Sequence, residues 1–121
     1  MRNIVYGDCM KPSGEFLKGC TETIVLSLLA ERRMYGYEIV SEIQARSQGI
    51  FDLAQGTVYP LLYSLERKGL IKGIWEASKA ESMRRRKHYV LTEQGKRIAE
   101  EDLSKWSHLV KGLNLVLGGK R

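Results

Sequence analysis

Residues 54–69 contain the polar groups that are best placed to bind another molecule through hydrogen bonds. The start of this segment presents hydroxyl, amide and backbone donor groups, which suit contacts to phosphate oxygens or to the edges of nucleic-acid bases. These candidate residues are Gln55, Gly56, Thr57 and Tyr59. The alternative is an ordinary core helix whose polar residues face water, and one short segment does not separate the two interpretations.

A run of four adjacent cations forms a second candidate site. It consists of Arg84, Arg85, Arg86 and Lys87. Neighbouring positive charges repel one another unless a counter-charge is near, and a solvated surface is the ordinary explanation for such a run. This run lies at the tip of a predicted β-hairpin with strands over 71–76 and 87–92, directly after the candidate helix. That position favours contacts to the phosphate backbone.

Patterns for catalysis or metal binding are not visible in the sequence. Cys9, Cys20, His88 and His108 lie far apart and lack ligand spacing, and no Ser/His/Asp set or phosphate-binding loop is present. We therefore expect no enzyme activity, no cofactor and no metal site. Cys20 is interpreted as a small buried apolar residue on a helix.

The composition is that of a small basic globular protein. The chain has 121 residues, a formal net charge of +6 and 43% hydrophobic residues, which fits one domain and excludes a largely disordered chain. A positive net charge attracts polyanions, commonly nucleic acid or an anionic membrane. The densest apolar run, residues 24–30, is far too short to span a bilayer, so we expect a cytoplasmic protein with no membrane partner.

Apolar periodicity predicts the elements that must position these side chains. Val58, Leu61, Leu62 and Leu65 recur at helical spacing and predict a buried face. Further helices are expected over 15–31, from 36 to about 47–49, and over 93–117. The fold class is therefore mainly α with a small β-hairpin wing (α+β), as in a winged helix-turn-helix. The predicted domains are an N-terminal arm (1–14), a winged helix-turn-helix domain (15–92), a C-terminal dimerisation helix (93–117) and a tail (118–121).

Local signals predict where several elements begin and end. Pro60 leaves two alternatives for the candidate helix: Thr57 is the N-cap and Pro60 lies in the first turn, or the helix begins at Gln55 and is locally distorted. Gly69 ends the helix in both cases, and Thr92 is expected to cap the last helix.

The short segments around the hairpin carry two further predictions. Residues 32–35 are predicted to form a turn. In the second hairpin strand, Tyr89 and Leu91 share the face expected to pack on the helices, while His88 and Val90 share the other.

The last helix carries an apolar seam that predicts a partner chain. Spacings of four and three alternate along it, which is a heptad pattern. The first helix is also apolar on more than one side, so the two together suggest a symmetric homodimer. The predicted interface residues are Leu17, Ile24, Leu28, Ala99, Leu103, Trp106, Val110, Leu113 and Leu117.

Three ordered blocks of the sequence resemble the PadR-like winged-helix transcriptional regulators. They are YGYEI at 35–39, GTVYPLLYSLERKGLI at 56–71 and RRKHYVLTEQGK at 85–96, and the similarity extends over about residues 17–117. The resemblance implies a homodimeric bacterial repressor that binds double-stranded DNA at an inverted-repeat operator, with the candidate helix in the major groove and the wing beside it.

The resemblance also implies roles for particular residues. Gly56, Thr57 and Tyr59 match the family's recognition-helix motif. The basic wing of the family matches at Arg85, Arg86 and Lys87. Tyr37, in the first block, is added to the predicted DNA contacts. Trp106 stands where ligand-responsive relatives carry a tryptophan, which implies a small aromatic effector. The alternative for Trp106 is a large seam residue without a ligand.

A second function remains open at this stage. Because a fold does not fix a function, a winged-helix adaptor that binds protein rather than DNA is the alternative. It predicts no salt-sensitive affinity for DNA.

Overall fold

The computed structural model describes residues 19–76 and 86–118. The described chain runs through helix α1, strand β1, helices α2 and α3, strands β2 and β3, and helix α4. Their bounds are α1 Thr21–Glu31, β1 Met34–Tyr35, α2 Gly36–Arg46, α3 Gln55–Arg67, β2 Ile71–Glu76, β3 Arg86–Leu91 and α4 Glu93–Val116. This order confirms the predicted mainly α fold with a small sheet. The predictions for residues 1–18, including Leu17, and those for Arg84 and Arg85 lie outside the described residues.

Helix α1 begins later than the sequence predicted. Gly19 and Cys20 form a turn, and the helix starts at Thr21 with Cys20 as its N-cap. Glycine loses more backbone freedom than other residues in a helix, which favours a turn at Gly19. Cys20 is half-buried at the start of α1 rather than buried within a helix.

The segment 32–35 was wrongly predicted as a turn, because Met34–Tyr35 form a short strand. Met34 pairs with Tyr89 and Tyr35 with His88, so β1 lies antiparallel beside β3. The sheet therefore has three strands in the order β1-β3-β2 instead of the two strands of an isolated hairpin. A two-residue strand is too short to produce a recognisable alternation in the sequence.

The predicted hairpin is confirmed, with β3 running from Arg86 to Leu91 rather than from 87 to 92. Its register runs from the Ile71–Leu91 pair to the Glu76–Arg86 pair. His88 was expected to lie away from the packed face, yet it is only 6% exposed. Tyr35 pairs directly with His88, so its side chain lies on the same face, and the two rings meet edge-on with centroids 6.0 Å apart.

The core lies between the helices and one face of the sheet. The predicted buried face of α3 is confirmed, since Val58, Leu62 and Leu65 are fully buried. Other fully buried side chains are Val25, Leu26, Met34, Ile39 and Ile71. The apolar contacts of these side chains fix the orientation of α3 relative to the sheet.

The predicted C-terminal end of α3 and the predicted start of α4 are confirmed, and they lie against each other. Gly69 follows α3 with a φ of +78°, and the N–H of Leu70 donates to the carbonyl of Leu65 at 3.0 Å, which is a glycine-terminated helix end. Thr92 Oγ1 accepts from the Gly95 N–H at 3.0 Å and donates to the Gly69 carbonyl at 2.7 Å. The cap of α4 thus also joins it to the end of α3.

Helix α4 packs its first turns on the core and extends beyond it. Ala99 is 5% exposed and belongs to the core of its own chain, although it was predicted in the dimer interface. Farther along, Leu103, Val110, Leu113 and Leu117 are all exposed in the single chain. Within residues 19–76 and 86–118, no helix is long and apolar enough to cross a membrane.

Candidate nucleic-acid interface

The first residue of α3 is the one given by the second of the two predicted alternatives, and the local distortion that this alternative also expected stays a prediction. The helix begins at Gln55, and the Ala54 carbonyl accepts from the N–H groups of Thr57 at 2.9 Å and Val58 at 3.0 Å. Pro60 therefore lies inside the helix and supplies no N–H for the carbonyl of Gly56, four residues earlier. The first backbone N–H groups of such a helix point outward along its axis, and the helix dipole makes this end attractive to anions.

Four of the residues predicted to contact nucleic acid lie at the surface of the first five residues of α3. Gln55, Gly56, Thr57 and Tyr59 are all exposed, while the opposite face of α3 is buried. A side chain at residue 56 would meet no atom within 4 Å. The structure thus brings the four predicted residues together on one open surface.

Tyr59 is held by the start of the preceding helix. Its ring lies against Gly36, where a Cβ atom would be 2.5 Å from Tyr59 Cε1 and 2.6 Å from its hydroxyl oxygen. Only a glycine leaves that space. At the same helix start, the N–H of Tyr35 donates to the Glu38 carboxylate at 2.8 Å, which satisfies a backbone donor that would otherwise lack a partner.

Two tyrosines and an arginine link the start of α2 to the wing. The rings of Tyr35 and Tyr37 are stacked, with centroids 5.7 Å apart and planes within 6°. The guanidinium of Arg86 lies 5.5 Å from the centre of the Tyr35 ring. Tyr37 and Arg86 are both exposed, so two predicted DNA-contacting residues meet at a shared aromatic ring.

Lys87 has a different environment from the one predicted for it. Its ammonium group lies 3.2 Å from Glu66 Oε1, and it also faces the rings of Trp75 at 5.4 Å and Tyr89 at 5.3 Å. Its side chain is only 25% exposed. An ammonium group that is already paired has less to gain from a phosphate, so of the two adjacent wing cations Arg86 is the more available one.

Glu66 is a residue that the sequence analysis missed. Its carboxylate accepts from the Gly73 N–H at 3.2 Å as well as pairing with Lys87, so it joins α3 to both β2 and β3. The partners are 7 and 21 residues away in the chain. Such contacts depend on strand register, which the sequence pattern did not reveal.

Glu76 forms a second polar contact on the other face of the sheet. The Tyr35 hydroxyl donates to Glu76 Oε2, and the Nδ1 atom of the buried His88 lies 3.3 Å from the same oxygen. The Tyr35 hydrogen bond is the main cause that lowers the pKa of Glu76, while partial burial opposes it and His88 assists it. The same hydrogen bond raises the pKa of the Tyr35 phenol.

Five of the predicted interface residues on α1 and α4 line a groove. This groove has a volume of about 540 Å³ and lies between α1, the end of α2, and α4. Ile24, Leu28, Leu103, Trp106 and Val110 line it. Trp106 is half-buried against the start of α1, near Gly19.

Comparison with known proteins places this arrangement in a family. The sequence model of the "Transcriptional regulator PadR-like family" matches residues 25–101. A PadR-like transcriptional regulator from Bacillus cereus is 29% identical, with a TM-score of 0.74 over 88% of this chain and 99% of that one. A PadR family transcription regulator from Clostridium difficile is 35% identical, with a TM-score of 0.69 over 83% of this chain and 100% of that one.

A more distant neighbour shares the fold. Bacillus subtilis PadR, whose structure is a complex with operator DNA, is 24% identical, with a TM-score of 0.61 over 68% of this chain and 44% of that one. The family match covers more than half of the chain, and it includes the exposed start of α3, the wing strands and the first turns of α4. The protein therefore belongs to the PadR-like family of transcriptional regulators, which are not enzymes.

Proposed function

We propose that this protein is a repressor that binds double-stranded DNA at an inverted-repeat operator as a homodimer in the bacterial cytoplasm. The observation that carries the proposal is the exposed, donor-rich first turn of α3 beside the exposed Arg86 of the wing. The similarity in fold to Bacillus subtilis PadR, solved with operator DNA, supports it.

The contacts divide into those that position the protein and those that discriminate between bases. Arg86, together with Arg84 and Arg85, contacts phosphates and supplies affinity without sequence information. Gln55, Thr57 and Tyr59 enter the major groove at the first turn of α3, where amide and hydroxyl groups pair with base edges. The backbone at Gly56 and the ring of Tyr37 contact the adjacent sugar-phosphate chain.

Dimerisation covers the apolar surface that a single chain exposes. Leu103, Val110 and Leu113 lie on one side of α4, and the exposed Leu117 follows its last residue. Isolated chains rarely leave a row of this kind in water. A second copy packed on this side and against the partly buried Ile24 forms a symmetric interface, whereas Leu28, also predicted there, is only 6% exposed and belongs to the core of its own chain. The two α3 helices then face successive major-groove turns, roughly 34 Å apart.

An aromatic effector acts through the same interface. Trp106 lines the groove between α1 and α4, so a flat apolar ligand beside it changes the spacing of the two α3 helices by binding one spacing more tightly than the other. Fluorescence titration of a Trp75→Phe variant isolates the signal of Trp106. Quenching by members of a panel of flat aromatic compounds supports an effector site, and an unchanged signal across the panel assigns Trp106 to the interface alone.

Selection of bound duplexes from a random pool tests the proposed function. The expected product is a palindromic site whose half-sites lie one helical turn apart. Recovery of sites without two-fold symmetry contradicts the homodimeric arrangement. Failure to enrich any duplex favours the winged-helix adaptor that binds protein.

A further inference from the structure

Side chains from all three strands meet on the face of the sheet that points away from Glu66. Tyr35 of β1 pairs with His88 of β3, and Glu76 of β2 pairs with Arg86 of β3. Side chains on residues that pair directly across a sheet lie on the same face. The register therefore places all four side chains on one face of the sheet, toward the end of β2 and the start of β3.

The Tyr35 ring is held in this cluster by contacts of different kinds. Its hydroxyl donates to Glu76 Oε2, and the ring of His88 meets it edge-on, with centroids 6.0 Å apart and planes at 89°. Tyr37 stacks on it at 5.7 Å. A ring restrained at its hydroxyl and by two aromatic neighbours has little rotational freedom left.

The Arg86 guanidinium packs against this restrained ring. It lies 5.5 Å from the ring centre, within the distance at which an aromatic face attracts a cation. A free arginine side chain loses considerable rotamer entropy when it contacts a phosphate. A guanidinium already oriented by a fixed ring loses less.

We propose that Tyr35 and Glu76 are positioning residues for DNA binding: the Tyr35–Glu76 hydrogen bond fixes the ring that orients Arg86 toward a phosphate. This inference rests on the proposed function. It assigns a role to two residues that need not contact DNA themselves, and it couples the wing to the start of α2 through one ring. Because Arg86 and Tyr37 both contact the Tyr35 ring, the position of that ring affects the DNA contacts of both residues.

The first test does not require DNA. The order parameter of the Arg86 Nε–H group is measured by NMR relaxation in the wild type and in the Tyr35→Phe and Glu76→Ala variants. Both variants are expected to lower it, because each removes the hydrogen bond that fixes the ring. Tyr35→Phe also removes the contact of the Tyr35 hydroxyl with Arg86, so Glu76→Ala isolates the Tyr35–Glu76 bond, and an unchanged value in Glu76→Ala overturns the inference. Tyr37→Phe is the matched control, since it removes a hydroxyl from the neighbouring stacked ring and should leave the value unchanged. An unchanged value in Tyr35→Phe overturns the inference.

The second test measures the coupling in DNA binding with a double-mutant cycle of Tyr35→Phe and Arg86→Ala. We expect Tyr35→Phe to weaken binding about threefold or more in the wild-type background and to have almost no effect once Arg86 is absent, as for residues in direct contact. Equal losses in both backgrounds overturn the positioning role. Circular dichroism and thermal unfolding establish that each variant is folded.

The two tests separate failure of this inference from failure of the proposed function. A wild-type protein that shows no affinity for DNA refutes the proposed function, whatever the NMR result. A wild-type protein that binds DNA, combined with a lowered Arg86 order parameter and no coupling in the cycle, refutes only the positioning role of Tyr35. Glu76 is tested by NMR because removing its charge would itself change the attraction to phosphates.

Discussion

The ring of Tyr59 occupies the space that a side chain on Gly36 would need, because a Cβ at residue 36 would lie 2.5 Å from Tyr59 Cε1. This contact joins the first turn of α3 to the start of α2. It places the tyrosine proposed to contact DNA against the first residue of α2, and it explains why a glycine opens that helix.

Gly36→Ala is expected to displace Tyr59 and to lower the free energy of unfolding by about 1 kcal/mol, the low end of the cost of overpacking, because the half-exposed tyrosine can swing outward. Operator affinity should fall as well. In a Tyr59→Ala background the same change should instead stabilise the protein by about 0.5 kcal/mol, since alanine restricts the unfolded chain. Chemical denaturation of the wild type, the two single variants and the double variant measures both effects. Destabilisation of equal size in both backgrounds would show that Tyr59 is not the obstacle.

Gly95 and Gly112 both lie in α4, and replacing each by alanine is expected to change the stability of the protein in opposite directions. A Cβ at Gly95 would overlap the Leu70 carbonyl oxygen, whereas one at Gly112 would meet no atom within 4 Å. Gly95→Ala should therefore cost about 2–3 kcal/mol through overpacking against backbone. Gly112→Ala should stabilise the chain by up to about 1 kcal/mol through helix propensity. Thermal unfolding distinguishes them, and similar melting temperatures for the two variants would contradict the contact between α4 and the end of α3.

Arg86 and Lys87 are adjacent cations with different predicted contributions to DNA binding. Arg86→Ala should reduce the slope of log affinity against log salt by about 1, as expected for one lost phosphate contact. Lys87→Ala should reduce it by less, because the Lys87 ammonium already lies 3.2 Å from Glu66 Oε1. Titrations of one duplex at several salt concentrations measure both slopes. Equal reductions would mean that Lys87 leaves Glu66 when DNA binds.

The pKa of Glu76 should respond to the Tyr35 hydroxyl. The hydrogen bond from Tyr35 is the main cause that lowers this pKa from its ordinary value of 4.5. A lowered carboxylate pKa contributes stability that is fully present above the ordinary value and is lost as the pH falls through the lowered one. Tyr35→Phe should therefore raise the Glu76 pKa and reduce this contribution. An NMR titration of the Glu76 side-chain carboxyl carbon measures the shift, and an unchanged pKa would exclude the hydrogen bond as its cause.

Features with a strong local signal were predictable from the sequence. The apolar spacing of Val58, Leu62 and Leu65 identified the buried face of α3, and Gly69 and Thr92 identified the junction between the wing strands and their neighbouring helices. Each signal lies within a few residues and reflects backbone geometry or periodicity. The resemblance of three sequence blocks then identified the family.

Contacts that depend on strand register were not predictable. Strand β1 has only two residues, so its pairing beside β3, and with it the burial of His88, left no pattern in the sequence. The pair between Lys87 and Glu66 joins residues 21 positions apart in the chain, and the contact between Tyr59 and Gly36 joins residues 23 positions apart. Their consequences for the candidate site become visible only when the elements are packed together.

Sedimentation equilibrium of the protein with and without a fluorescent operator duplex tests the central proposal most directly. Two copies packed along α4 should sediment as a dimer at micromolar concentration and bind as two chains per duplex. Leu113→Glu, which places a charge on the exposed apolar side of α4, should yield single chains that remain folded but bind the operator much more weakly. A wild-type protein that sediments as a single chain and binds one chain per duplex would contradict the proposed symmetric repressor.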